Sequence, residues 1–132
     1  MDENDRNTIV GFERAKALKF LSQACDLCDM KLWDLAANRF YYACFHVVQA
    51  LFVKEGLFAH THSGMITLFN LKYIKTKRLD VTLGSFLSRM MQIRQKADYN
   101  CIYEITERDV MDIKPLALSF ISSIEKLLDE EE

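Results

Sequence analysis

At 132 residues, half of them hydrophobic, the chain can bury one core and does not read as disordered. Its formal net charge of −2 excludes a global basic footprint, so any contact with nucleic acid rests on a local patch. One proline and four glycines leave too few turns for an all-β fold, and charge interrupts every apolar stretch short of a membrane span.

The first residues, Met-Asp-Glu-Asn-Asp, do not join a basic start to an apolar run, so a cytoplasmic protein with reduced cysteines is expected. Residues 1–7 are polar and read as frayed, with Asn7 or Thr8 capping a first helix that reaches about Asp29. Ala15, Leu18, Leu21, Cys25 and Cys28 recur at steps of three and four along it. After a break near Met30, a central helix runs from Lys31 to Glu55 and stops at Gly56. Its partner face holds Leu35, Ala36, Ala43, Val47, Ala50 and Leu51.

A loop from 57 to 64 carries His60 and His62, and a short helix from Met65 to about Tyr73 follows it. Beyond the basic connection Lys75-Thr-Lys-Arg78, Asp80 caps a fourth helix with the stripe Leu83, Leu87, Met90, Ile93 and Ala97, ending near Asn100. Thr106 and Asp109 form a capping-box pattern, weakened by the short aspartate, ahead of the stripe Val110, Ile113, Ala117, Phe120, Ile124 and Leu128. Pro115 lies inside that stripe, so a kink or a later helix start is expected. The acidic tail 129–132 reads as solvated. These elements predict a single all-α domain over 1–132, an up-and-down bundle of four long helices plus one short helix.

Two clusters carry possible chemistry. On the central helix Arg39, Tyr42 and His46 share one stripe among bulky apolar residues. Such groups are expensive to bury unless they partner one another or a ligand. On the fourth helix Arg94 and Asp98 are one turn apart at the border of the apolar stripe, with Tyr99 beside them. If the two helices face each other, the clusters form either a mixed polar network that sets helix register or a ligand cleft. His60 and His62 could touch a phosphate or ligate a metal, although a solvated or capping role is commoner, and Ser63-Gly64 before a helix suits an anion. Cys25-Asp-Leu-Cys28 is a CxxC, but it falls within a helix stripe, and only the scattered Cys44 and Cys101 remain as further thiols. No metal or cofactor is expected.

Ala36-Ala-Asn-Arg-Phe-Tyr-Tyr-Ala-Cys-Phe-His46, His62-Ser-Gly64 and Ile93-Arg-Gln-Lys-Ala-Asp-Tyr99 appear in the order and at the separations of the small single-domain HEPN proteins (higher eukaryotes and prokaryotes nucleotide-binding). Over about residues 10–128 the chain resembles that family. The resemblance implies an all-α bundle that commonly dimerises and contacts RNA or nucleotide. Many members are metal-independent endoribonucleases, often toxins restrained by a small nucleotidyltransferase partner. Their motif is an arginine followed after four to six residues by a histidine, a spacing that Arg39 and His46 satisfy formally. The histidine takes the ribose 2′-hydroxyl proton and the arginine steadies the phosphate. In this chain the family's late motif position is occupied by Arg94-Gln-Lys-Ala-Asp-Tyr-Asn100 and has no histidine. The resemblance therefore assigns phosphate contact to Arg94 and the base to His46. Arg39, Tyr42, Asp98, Tyr99 and His62 become ligand-binding or orienting groups. The rival expectation is a non-catalytic helical interaction module whose Arg/Tyr/His/Asp cluster is structural.

Overall fold

The computed structural model describes residues 1–130, and Glu131 and Glu132 of the acidic tail lie outside that range. Among the described residues all regular secondary structure is helical. Helix α1 spans Glu3–Asp29, α2 Trp33–Glu55, α3 His62–Phe69, α4 Val81–Tyr99 and α5 Glu107–Leu128. A π-helical turn, Asn70–Ile74, prolongs α3. Four long helices and one short one is the all-α arrangement that the apolar stripes predict.

Helix α2 is central. It packs against α1, α4 and α5, and Phe40, Tyr41, Ala43, Cys44, Val47, Val48, Ala50, Leu51 and Phe52 are buried on nearly every side of it. A helix apolar all round belongs in the interior. Fully buried alanines recur every seven residues, Ala17 and Ala24 on α1 and Ala36, Ala43 and Ala50 on α2. Seven-residue spacing keeps each set on one face, and the missing bulk lets helix backbones approach closely.

The ends of the helices follow local rules. At the end of α2, Gly56 adopts φ 72°, and the Leu57 N–H donates to the Phe52 carbonyl at 2.8 Å, the left-handed stop expected there. Asp80 caps α4, and the Thr106–Asp109 capping box forms in full, with bonds of 2.9 and 3.3 Å. The short aspartate is therefore adequate. The stripe of α5 is buried as predicted. Pro115 does not delay the start of α5. It lies in the interior of the helix on an exposed side, where water can satisfy the Met111 carbonyl left without its donor.

Four expectations are corrected. Helix α1 begins at Glu3, because the Asp2 carboxylate accepts the Asp5 N–H at 2.8 Å and acidic residues favour a first turn. Its buried line is Ala17, Ala24 and Cys28, while Ala15 and Leu18 face outward and Leu21 and Cys25 sit half-buried at the border. Leu35 is exposed, near the open end of α2. The loop stops at Thr61, whose hydroxyl accepts the Gly64 N–H at 2.9 Å, so His62, Ser63 and Gly64 form the first turn of α3.

The far end of the bundle is tied by ions. Lys54 Nζ donates to the carbonyls of Leu127, Leu128 and Glu130 at 3.0–3.1 Å, satisfying the orphan acceptors at the end of α5. Arg14 pairs with Glu125 and with Asp129, the latter at 2.9 Å, so the first tail residues are tethered although exposed. Arg78 grips Glu55 through two bonds of 2.7 and 2.8 Å, and Tyr73 donates to the same carboxylate. These bonds hold the Glu55 carboxyl below its usual range and anchor the α3–α4 connection to α2. Gly84 lets the Asn70 side chain lie close to α4, since a Cβ there would come within 2.3 Å of Asn70 Oδ1 and push it aside.

Candidate functional site

Both polar clusters are built on α2, on either side of its aromatic run. Toward α1, Arg39 donates from Nε to Gln23 Oε1 at 3.0 Å and from Nη1 to Asn38 Oδ1 at 2.6 Å. Its guanidinium lies 5.4 Å from the centre of the Phe20 ring. His46 stacks on Phe45 with ring centres 5.1 Å apart, and its Nδ1 is 2.7 Å from a Glu13 carboxylate oxygen. Glu13, Phe20 and Gln23 all project from α1.

Toward α4, Arg94 lies over two phenol rings, 5.3 Å from Tyr41 and 5.5 Å from Tyr42. Its only ionic partner among the described residues is Asp98, at 3.6 Å from Nε, beyond hydrogen-bond reach. The Tyr41 hydroxyl bonds His62 Nδ1, and the His62 ring also meets Phe45 edge-on at 4.8 Å. Burial lowers the His62 pKa from its ordinary 6.5, and the Arg94 charge adds to the effect. Burial also pushes the Tyr41 phenol up to about 12. A neutral phenol therefore meets a neutral imidazole, and the two share one hydrogen bond.

A cleft of about 260 Å³ opens beside Arg94 between the start of α2 and the end of α4. Apolar Leu35, Ala37, Ile93 and Ala97 wall it, and Asp34, Asn38, Arg94 and Asp98 bring polar groups to it. Tyr103 and Ile105, from the segment before α5, border it too.

The structure thus brings some predicted residues together and leaves others apart. Arg94 and Asp98 share the cleft, with Tyr42 against the guanidinium. Arg39 reaches the cleft only through Asn38, which it hydrogen-bonds. His46 is separated from Arg94 by the Tyr42 and Phe45 rings, and does not line the cleft. Tyr99 is 84% exposed and turned to a shallow surface with Gln92, Gln95 and Lys96, away from Asp98. His62 is half-buried inside an aromatic cluster, whereas His60 is exposed against Phe58. Gly64 spends its N–H on the Thr61 cap, which removes one donor from the anion site expected at Ser63-Gly64.

Sequence reasoning missed Tyr41, Glu13, Asp34 and Asn38. Tyr41 reads as core from its burial pattern, and its hydroxyl partner is 21 residues away. Glu13 carries no signal, because its role depends on which line of α1 faces α2. Asp34 and Asn38 have a usable signal: they are one turn apart and one turn before Tyr42. Cys28 and Cys44 are buried, and burial raises both thiols, as expected of inert core cysteines.

A family model described as the HEPN domain matches residues 12–127. The chain belongs to the HEPN family. A UPF0332 protein of Thermotoga maritima is 35% identical over 127 residues, covering 96% of each chain. Two Methanocaldococcus jannaschii proteins bear the names "Putative toxin MJ0142" and "Putative toxin MJ0605". The first is 31% identical, over 86% of this chain and 77% of its own. The second is 33% identical, over 83% and 81%. The HEPN match spans both halves of the site, from α1 with Glu13 to α5. Among the described residues of this HEPN protein, no helix is long and apolar enough to cross a membrane.

Proposed function

We propose that this protein is a toxin-like HEPN protein that contacts RNA or a nucleotide through the cleft between α2 and α4. In this reading it works beside a small nucleotidyltransferase partner, as a cytoplasmic homodimer. The observation that carries it is Arg94: a guanidinium stacked on Tyr41 and Tyr42, without a hydrogen-bonded partner on Nε, at the edge of an open cleft. A planar cation held at the edge of an open cleft suits a phosphate oxyanion. The names of the two M. jannaschii relatives support the toxin-like part. The partner and the dimer are carried over from the family resemblance.

In the catalytic form of this proposal the reaction is metal-independent cleavage of RNA. His46, oriented by Glu13 at Nδ1, takes the ribose 2′-hydroxyl proton at Nε2, and Arg94 steadies the phosphorane charge. The 2′-oxygen attacks the adjacent phosphorus and the 5′-oxygen leaves, giving a cyclic phosphate. Arg39, Tyr42, Asp98, Tyr99 and His62 are then orienting groups.

A second reading is supported by a different observation. Arg39 and His46 are already satisfied by Gln23, Asn38 and Glu13, as in a purely structural network. That favours a non-catalytic interaction module. Incubation with total RNA in EDTA separates the two, using the parent, Arg94→Ala and His46→Ala proteins shown to be folded by circular dichroism. Retention of RNA lost in Arg94→Ala supports the cleft, and cleavage lost in both variants supports the enzyme. No retention and no cleavage by the parent, with or without a nucleotidyltransferase, favours the module.

A further inference from the structure

We propose that the cleft reads guanine. The inference rests on the RNA- or nucleotide-contacting reading and names the base it selects. The polar inventory is unusual for a phosphate-binding surface. Asp34, in the first turn of α2, makes no hydrogen bond or ion pair among the described residues, and Asp98 adds a second carboxylate. A cleft with two carboxylates and one guanidinium repels a bare polyanion at its carboxylate end, so that end calls for a group rich in donors.

Asn38 supplies the complement. Arginine can only donate, so the Arg39 bond at 2.6 Å forces Asn38 Oδ1 to face Arg39. The amide NH₂ is left to donate. One helical turn therefore presents two carboxylate acceptors from Asp34 and one N–H donor from Asn38, with side chains about 5–6 Å apart at Cβ. Guanine matches this order, since N1–H and N2–H₂ are adjacent donors beside the O6 acceptor. Adenine and cytosine each present one amino donor on this edge, and uracil one imide N–H. Apolar Leu35 and Ile93 bound the slot in which the ring would lie.

The surroundings fit a nucleotide within a strand. A second depression shares Asp34, Leu35 and Ile105 with the first and extends to Lys31, with Glu104 also on its rim. The two depressions thus meet at Asp34, Leu35 and Ile105, with Arg94 lining one and Lys31 the other, a cation for phosphate in each. A basic protein side chain would also satisfy the carboxylates, but it would leave Arg94 and the Asn38 NH₂ facing a cation. That mismatch favours guanine.

Equilibrium binding of GMP, AMP, CMP, UMP and methylguanidinium to the whole protein, by calorimetry, tests this directly. The expected result is GMP binding about tenfold tighter than the other three nucleotides. Asp34→Asn, which exchanges one acceptor for a donor, should lower GMP to the level of AMP. Asn38→Asp keeps an acceptor for Arg39 but turns a second oxygen toward O6, and should do the same. The parent comparison stands even if a variant fails to fold. Four nucleotides within about twofold of one another overturn the guanine assignment. So does methylguanidinium binding without GMP binding, in favour of a basic partner side chain. Retention of RNA by the parent in either of those cases leaves the broader reading intact. GMP selectivity without RNA retention supports the base site and overturns the strand reading.

Discussion

The two sides of α2 carry the same kinds of side chain and use them differently. Toward α1, Arg39 and His46 sit against Phe20 and Phe45, and each has a bonded partner within 3.0 Å. Toward α4, Arg94 and His62 sit against Tyr41 and Tyr42, yet the carboxylate nearest Arg94 Nε is 3.6 Å away and a cleft opens beside it. The cause is the packing partner. Alanines let α1 approach α2 closely, so long polar side chains cross the interface and find each other. Helix α4 touches α2 more sparingly, and a cleft remains between its end and the start of α2. Residue type therefore does not mark a functional site in this protein; unmet hydrogen-bonding capacity next to open volume does.

This contrast can be broken. Its largest consequence is for stability on the α1 side: Glu13→Ala should lose about 1–3 kcal/mol in urea denaturation, because half-buried His46 keeps no partner for Nδ1. A loss of the same size in Arg94→Lys would abolish the distinction. That variant should instead change stability by less than about 1 kcal/mol while weakening RNA or GMP retention about tenfold, because an ammonium neither stacks nor forks as a guanidinium does. Tyr41→Phe removes the hydrogen bond to His62 and should cost about 1 kcal/mol, readable as a lowered urea midpoint with the denaturant slope unchanged.

The smallest effect is the pH dependence. His62 titrates lower in the folded chain than its ordinary 6.5, so below that value the unfolded chain binds more protons. Its contribution to stability is complete above about pH 6.5 and drains away as the pH falls toward the folded value. His62→Gln should remove that slope, and Arg94→Ala should shrink it without removing it, because burial is the larger cause. An unchanged slope in both variants would show that another group is responsible.

Several features were legible because their causes are local. Gly56 stops α2, Asp80 starts α4, and Thr106 with Asp109 starts α5, each through hydrogen bonds closed within a few residues. The α5 stripe was legible for a related reason: its apolar residues follow a single line, so the period admits one answer. Helix α1 offers neighbouring apolar lines, and the one that faces inward was settled by the alanines it presents to α2. The predicted start of α3 at Met65 falls three residues late because Thr61, three residues before Gly64, sits in a histidine-bearing stretch that looks like a loop yet caps the helix.

Apolar periodicity and end signals, both short-range, were thus enough to specify an all-helical chain and to place Arg39 with His46 on one helix and Arg94 with Asp98 on another, while three motif blocks carried the HEPN resemblance. They could not say which of these would be satisfied from within. That outcome was set by how closely each neighbouring helix lies against α2. Such distances depend on side chains far apart in the chain, and no window of sequence contains them.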